Sequence, residues 1–358
     1  MKIIVTSGGT GGHIYPAVSL IKYLENNGEK VLFVGAKNKM EEDIAKREEI
    51  DFYGFNLERK SGLLNKIRFL ISLIKAFFLS FKIIKEYKPD IVIGFGNYIS
   101  VPLCFASKIK KIPIILHEQN STMGKANIVI GYVADRIGYS IPLMKEYHKN
   151  KLVNVGNPRS NECLKSVSNN SNIDITKNNI LIFMGSLGSS TINNILKEFI
   201  NKNNDNNIYH IVTGKKHYES FINGVNEKKN IHIYPYINDM ISLMKKCDLV
   251  VTRSGATTIS EIITLGLPSI LIPSPYVVNN HQFHNANYLY KNKACLMIEE
   301  KNLNSSVLKD KIDYLINNNE ERVNIRLNSL KLAVFDSNNK IYKIVKELIN
   351  GKWNLEYK

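Results

Sequence analysis

Lys2-Ile3-Ile4-Val5-Thr6-Ser7-Gly8-Gly9-Thr10-Gly11-Gly12-His13-Ile14-Tyr15-Pro16, with the stretch that follows to Glu25, decides how this chain is read. Residues 2–6 form a short apolar, β-branched run and predict a buried strand. Residues 7–12 then place four glycines within six positions. Apolar residues resume at Ala17, Leu20, Ile21 and Leu24, which is helical spacing. The order strand, glycine turn, helix aims backbone N–H groups at the turn and adds the positive end of a helix dipole. Glycine carries no Cβ, so a substrate can lie against the backbone. His13 stands where the turn meets the helix, which holds an imidazole beside whatever binds. A tight turn without a ligand would satisfy the same order, but such a turn rarely needs this many glycines.

The scheme repeats along the chain. Apolar runs at 31–34, 91–94, 113–116, 136–139 and 152–155 alternate with helical stretches, which argues for a parallel sheet covered on both faces. The second half brings further runs at 179–184, 208–212, 231–234, 249–252, 269–272 and 294–297. The run at 179–184 leads into Gly185-Ser186-Leu187-Gly188-Ser189-Ser190 and a helical stretch over 191–200, a second glycine turn opening a helix. The expected architecture is α/β, with two Rossmann-like domains facing each other across a cleft. The expected division is a first domain over 1–157 and a second over 158–334, because Gly156-Asn157-Pro158 interrupts regular structure. A final helix over about 335–353, with Ile341, Ile344, Val345 and Leu348 in register, is expected to pack back on the first domain. The polar, Asn-rich stretches 166–179 and 201–207 read as loops.

With 358 residues, two domains of ordinary size fit the length. Cys104, Cys163, Cys247 and Cys295 are far apart with no CxxC pair, and read as reduced core thiols of a cytoplasmic protein. Met1-Lys2 leads directly into the first strand, without a signal-peptide pattern. The net charge of +16 favours an anionic partner, although the Asn, Lys and Ile richness of the chain weakens that argument. No basic recognition helix or aromatic-basic ladder points to nucleic acid. Residues 63–84 are strongly apolar but interrupted by Lys66, Arg68, Lys75 and Lys82, so they do not read as a transmembrane span. Two readings stay open. One is an amphipathic basic helix lying on an anionic membrane surface. The other is a core helix with a greasy exposed face. Phe69, Phe77, Phe78 and Phe81 make the run more apolar than one buried stripe requires.

A third helix start follows the run at 249–252. Ser254-Gly255-Ala256-Thr257-Thr258-Ile259-Ser260-Glu261 has helical periodicity from Ala256 to Leu265, with Ser254 as the expected N-cap. Its amides can hold a diphosphate. Glu261, about two turns in, can accept hydrogen bonds from both ribose hydroxyls, or it is a solvated helix charge. Arg253 is a phosphate contact or the member of an ordinary ion pair. His281 and His284 have HxxH spacing but no third ligand, so a zinc site is not expected. His117-Glu118-Gln119-Asn120 follows a strand end and should face the ligand crevice of a doubly wound fold. A Walker A pattern is absent, and the first turn lacks GxGxxG spacing, which disfavours ATP hydrolysis and a dinucleotide coenzyme.

The chain resembles the MurG family of N-acetylglucosaminyltransferases. The resemblance begins at Gly8-Gly9-Thr10-Gly11-Gly12-His13-Ile14-Tyr15-Pro16. It continues through residues 94–100, His117-Glu118-Gln119-Asn120, Gly156-Asn157-Pro158, Gly185-Ser186-Leu187-Gly188, residues 253–261 and Asn279-Asn280-His281-Gln282, in family order. It implies a GT-B fold and inverting transfer of N-acetylglucosamine from UDP-N-acetylglucosamine to the 4-hydroxyl of undecaprenyl-diphospho-N-acetylmuramoyl-pentapeptide, with no metal cofactor. It implies peripheral attachment to the cytoplasmic side of the cell membrane. Carried over, Ile237 meets the uracil, and Ala256, Thr257 and Thr258 contact the nucleotide or its phosphates. Glu261 holds the ribose and Gln282 the sugar. Ser186, with Thr10, Gly11, Gly12 and Asn120, completes the site. Three positions depart from the family pattern: Met184 and Asn97 stand where glycine is usual, and Arg159 stands one residue early, with Ser160 in the usual place of the arginine; Arg159 is still expected to reach the donor. The attack needs a general base, for which His13 is the candidate and Glu118 the runner-up. Another GT-B glycolipid synthase using a UDP-sugar, a UDP-sugar epimerase and a non-catalytic nucleotide-sugar-binding subunit are the competing readings.

Overall fold

The structure, a computed structural model, describes residues 1–57, 62–164, 177–185 and 188–351. The chain divides into two compact units. Met1–Asn161 and the chain from Val334 onward form the first, and Glu162–Ala333 forms the second.

The first unit is built on seven parallel strands: β1 (Lys2–Thr6), β2 (Lys30–Ala36), β3 (Phe52–Phe55), β4 (Ile91–Gly94), β5 (Ile114–Glu118), β6 (Arg136–Tyr139) and β7 (Leu152–Asn154). Their order in the sheet is β3-β2-β1-β4-β5-β6-β7. Alternate residues of one strand feed opposite cores, as the two-residue period of a strand requires. Ile3 and Val5 pack with Ile14, Ala17, Leu20, Ile21 and Leu24 of the helix Gly11–Asn26, and with Ile341, Ile344 and Val345 of the helix Ser337–Ile349. Ile4 packs on the other face with Ile83 and Ile84 of the helix Leu63–Tyr87 and Leu103 of the helix Asn97–Ile109. The C-terminal helix therefore covers one face of the first sheet.

The second unit carries β8 (Asn179–Phe183), β9 (Ile208–Val212), β10 (Ile231–Tyr234), β11 (Leu249–Thr252), β12 (Ser269–Leu271) and β13 (Leu296–Met297), ordered β10-β9-β8-β11-β12-β13 and parallel throughout. Each sheet reverses its winding direction once, between β1 and β4 in the first and between β8 and β11 in the second. In open α/β sheets a ligand crevice opens at such a switch point, outside the carboxyl ends of the strands. The three glycine-containing turns follow β1, β8 and β11, so they flank these points.

Three details differ from the sequence expectations. Strand β3 was not foreseen: Phe52-Tyr53-Gly54-Phe55 is short, contains a glycine and lies at the sheet edge. The first helix begins at Gly11, so Gly11, Gly12 and His13 form its opening turn. The N-cap of the helix Ala256–Leu265 is Gly255, not Ser254: the Gly255 carbonyl accepts from Ile259 N at 2.9 Å, and the Ser254 hydroxyl donates to the Gln282 carbonyl at 2.8 Å.

Candidate functional site

In the first unit the turn after β1 needs glycine for room. A Cβ at Gly8 would lie 2.1 Å from Ile99 Cδ1 and 2.2 Å from Glu41 Oε1. The buried Glu41 carboxylate accepts the Gly9 N–H at 2.8 Å, which ties the turn down from beneath. Thr10 is the exposed N-cap, in extended conformation, and its hydroxyl makes no capping bond. Its carbonyl accepts from His13 N at 3.0 Å and Ile14 N at 3.1 Å. Gly11, Gly12 and His13 are half-buried at the helix start. Asn97 has φ +67°, a left-handed conformation that asparagine tolerates better than most residues, which explains how it replaces a glycine.

The end of β5 supplies the neighbouring groups. His13 Nδ1 lies 2.6 Å from Gln119 Oε1. Glu118, only 1% exposed, accepts from Asn120 N (3.0 Å), Asn120 Nδ2 (3.3 Å), Gly124 N (3.0 Å) and Asn127 Nδ2 (2.7 Å). Its lone pairs are thus occupied by donors that shape the loop carrying Asn120. That arrangement fits an organiser of the loop better than the runner-up base. Arg159, in the same unit, lies with its guanidinium 5.5 Å from the Tyr15 ring centroid, a cation–π contact.

In the second unit, Gly185 and Gly188 adopt φ +78° and +72°, and a Cβ at Gly188 would lie 2.1 Å from the Thr213 carbonyl oxygen. Ser186 lies outside the described residues. Met184 points into the core cluster with Ile182 and Ile211, so its side chain does not crowd the turn. At the turn after β11, Ala256 is buried and Thr257 and Thr258 are half-buried on the first helical turn. Glu261 is 7% exposed and is therefore not a solvated helix charge. Ile237 is half-buried in the connection beyond the carboxyl end of β10. Gln282 is fixed at both ends of its side of the site: its Oε1 accepts from Ser274 N at 2.9 Å and its carbonyl from Ser254 Oγ. Asn285 Nδ2 donates to the Ser254 carbonyl at 3.2 Å, completing this tie between the turn and the helix His281–Lys291.

Arg253 belongs to the ion-pair reading. It meets Glu300 Oε2 at 2.6 Å, with both side chains under 10% exposed at 9% and 7%. It also donates to the Ile272 carbonyl and to Ser189 Oγ. A guanidinium so engaged braces the β11 turn against the turn after β8. Sequence reasoning did not foresee the roles of Gln119, Glu41 and Glu300. For Gln119 a signal existed: His117 and Gln119 share one side of an extended segment, while Glu118 and Asn120 share the other. Among the described residues, no group of three or more His, Cys, Asp and Glu side chains is placed to hold a metal ion.

The helix Leu63–Tyr87 has two apolar faces. Ala76, Ile83 and Ile84 are buried, whereas Leu64, Ile67, Ile71, Ile74 and Phe78 form an exposed stripe at helical spacing, 73% exposed at Leu64 and 66% at Phe78. Lys66, Arg68, Lys75 and Lys82 are exposed on the same helix. No described helix is long and apolar enough to cross a membrane.

The glycosyltransferase family 28 N-terminal domain matches residues 3–139, and the family 28 C-terminal domain matches residues 179–348. A relative from Acetivibrio thermocellus, named UDP-N-acetylglucosamine--N-acetylmuramyl-(pentapeptide) pyrophosphoryl-undecaprenol N-acetylglucosamine transferase, is 34% identical over 369 residues, covering 98% of this chain and 99% of its own. A Bacillus cytotoxicus protein of the same name is 35% identical over 366 residues, covering 98% of this chain and all of its own. The crystal structure of Acinetobacter baumannii MurG superposes with a TM-score of 0.78 at 24% identity, covering 97% of this chain and 99% of that one. This places the two parallel-sheet units in the GT-B fold. The chain is a glycosyltransferase and belongs to glycosyltransferase family 28.

Proposed function

We propose that the protein transfers N-acetylglucosamine from UDP-N-acetylglucosamine to the 4-hydroxyl of undecaprenyl-diphospho-N-acetylmuramoyl-pentapeptide, with inversion at the anomeric carbon. The observation that carries this reading is identity of 34–35% along almost the whole chain to transferases named for that donor and acceptor.

The second unit holds the donor. The helix N-terminus at Ala256–Thr258 takes the diphosphate through backbone N–H groups and hydroxyls. Glu261 accepts from the ribose, Ile237 packs on the uracil, and Gln282 meets the sugar, with Ser186 beside the phosphates. The first unit holds the acceptor. Thr10, Gly11 and Gly12 offer a second helix N-terminus to its diphosphate, with Asn120 alongside. Arg159, expected at the donor, stacks on the Tyr15 ring.

The acceptor hydroxyl attacks C1 of the sugar as the bond to the UDP oxygen breaks. His13 takes the hydroxyl proton, and the leaving diphosphate keeps the electron pair. Negative charge then grows on UDP, where fixed N–H dipoles stabilise it without reorganising. Because Arg253 is paired with Glu300, those dipoles carry this task.

The exposed stripe and lysines of the helix Leu63–Tyr87 support peripheral binding to the anionic inner leaflet, where the lipid acceptor lies. The test is acceptor choice: the protein is given UDP-N-acetylglucosamine with either a short-chain muramoyl-pentapeptide diphospholipid or diacylglycerol. Sugar transfer to the first alone is expected. Transfer to diacylglycerol would replace this reading with that of a glycolipid synthase.

A further inference from the structure

We propose that Gln119 is a positioning residue that fixes His13 as its Nδ1–H tautomer, leaving Nε2 as the lone pair that meets the acceptor hydroxyl. The importance of this for turnover rests on the reading of His13 as base; the tautomer itself does not.

The direction of every hydrogen bond follows from backbone groups. Gln119 Nε2 lies 3.2 Å from the Phe95 carbonyl oxygen and 3.2 Å from the His117 carbonyl oxygen. Carbonyl oxygens only accept, so the NH2 end of the amide must lie there. Gln119 Oε1 is then the end that faces His13 Nδ1 at 2.6 Å. An amide oxygen also only accepts, so Nδ1 must carry the proton.

His117 supports the same orientation from behind. Its Nε2 lies 2.9 Å from the Gly156 carbonyl oxygen and must donate to it. Burial pushes the His117 imidazole down to about 4, so it stays neutral near pH 7. Its Nδ1 is therefore a lone pair, 3.0 Å from Gln119 Nε2, and accepts from it. The sequence runs from Gly156 through His117 and Gln119 to His13, and reversing it would set donors against donors or acceptors against acceptors. Gln119 and His117 are each 1% exposed, so water does not compete for these bonds. The Gly156 carbonyl is itself held in place. Its residue has φ +71°, and a Cβ there would lie 2.4 Å from Val334 Cβ. A neutral imidazole protonated at Nδ1 is a base at Nε2 alone.

The experiment reads the tautomer directly. Protein labelled with 15N-histidine is examined by two-bond 1H–15N correlation, and the His13 signals are assigned by their loss in His13→Gln. The wild-type protein is expected to show the Nδ1–H pattern. In Gln119→Leu the ring is expected to move to the Nε2–H form, with turnover reduced about 10- to 100-fold and UDP affinity unchanged. A wild-type spectrum showing Nε2–H would overturn the proposal without any variant having to fold. So would an unchanged tautomer in Gln119→Leu. If His13→Ala leaves turnover intact, the base assignment falls and the tautomer result stands, so the two failures are distinguishable.

Discussion

His13 owes its position to two features at once: the helix that begins at Gly11 fixes its backbone, and Gln119 fixes its ring. Its replacement by alanine should lower turnover by about 10²- to 10⁴-fold. Calorimetric UDP binding should change little, because the proposed donor groups lie in the second unit; unchanged turnover would remove His13 from the mechanism. Glu300 presents a different test. Glu300→Ala leaves the buried Arg253 guanidinium without its counter-charge and should cost about 3–5 kcal/mol in urea unfolding. A loss below about 0.5 kcal/mol would mean that the pair is not holding the β11 turn. The glycine turns and the placement of His13 and Glu261 on the helices that follow them were legible in the sequence because that placement is local: a strand end, a turn and a helix start. Gln119 and Glu300 were not, because their partners are distant along the chain and only the fold brings them together. Both readings of Arg253 stay open in the sequence for the same reason.

At the scale of elements, the helix Leu63–Tyr87 carries the clearest consequence. Burying one isoleucine in an apolar phase contributes about 1.5–3 kcal/mol. Replacing Ile67 and Ile74 together by glutamate should therefore weaken binding to anionic lipid vesicles by at least about tenfold. Thermal stability should be nearly unaffected, since both side chains face solvent. Equal vesicle binding by the variant would return the helix to the reading of a merely greasy exposed face. The sequence showed that this helix has more apolar surface than one stripe, but not which side chains face outward. That partition depends on the neighbouring helix Asn97–Ile109, which buries one side of it. Strand β3 escaped notice for a related reason. An edge strand of Phe52-Tyr53-Gly54-Phe55 has little apolar periodicity of its own, and pairing with β2 supplies its structure. Ser254 is not the cap because it stands one residue before Gly255, the N-cap, and its hydroxyl donates across to the Gln282 carbonyl.

Across the whole molecule, the strand–turn–helix alternation was enough to foretell two parallel sheets, since parallel strands need a crossover after each strand. The sheet orders, and with them the switch points, required the structure. One property spans both units. Burial pushes His117 in the first and His210 in the second down to about 4, from an ordinary value of 6.5. Each is neutral when folded and takes up a proton more readily when unfolded. Stability is therefore full above about pH 6.5 and is lost as pH falls toward 4. His117 alone should account for about 2 kcal/mol of loss by pH 5. Urea midpoints that stay flat between pH 7 and 5 would contradict this. The central claim, that this chain builds a disaccharide on a lipid diphosphate, is tested most directly by one assay. N-acetylglucosamine labelled in UDP-N-acetylglucosamine is offered with a short-chain muramoyl-pentapeptide diphospholipid in the presence of EDTA. The account predicts a labelled lipid carrying a β-1,4-linked disaccharide. A protein that binds UDP yet forms no such product would contradict it.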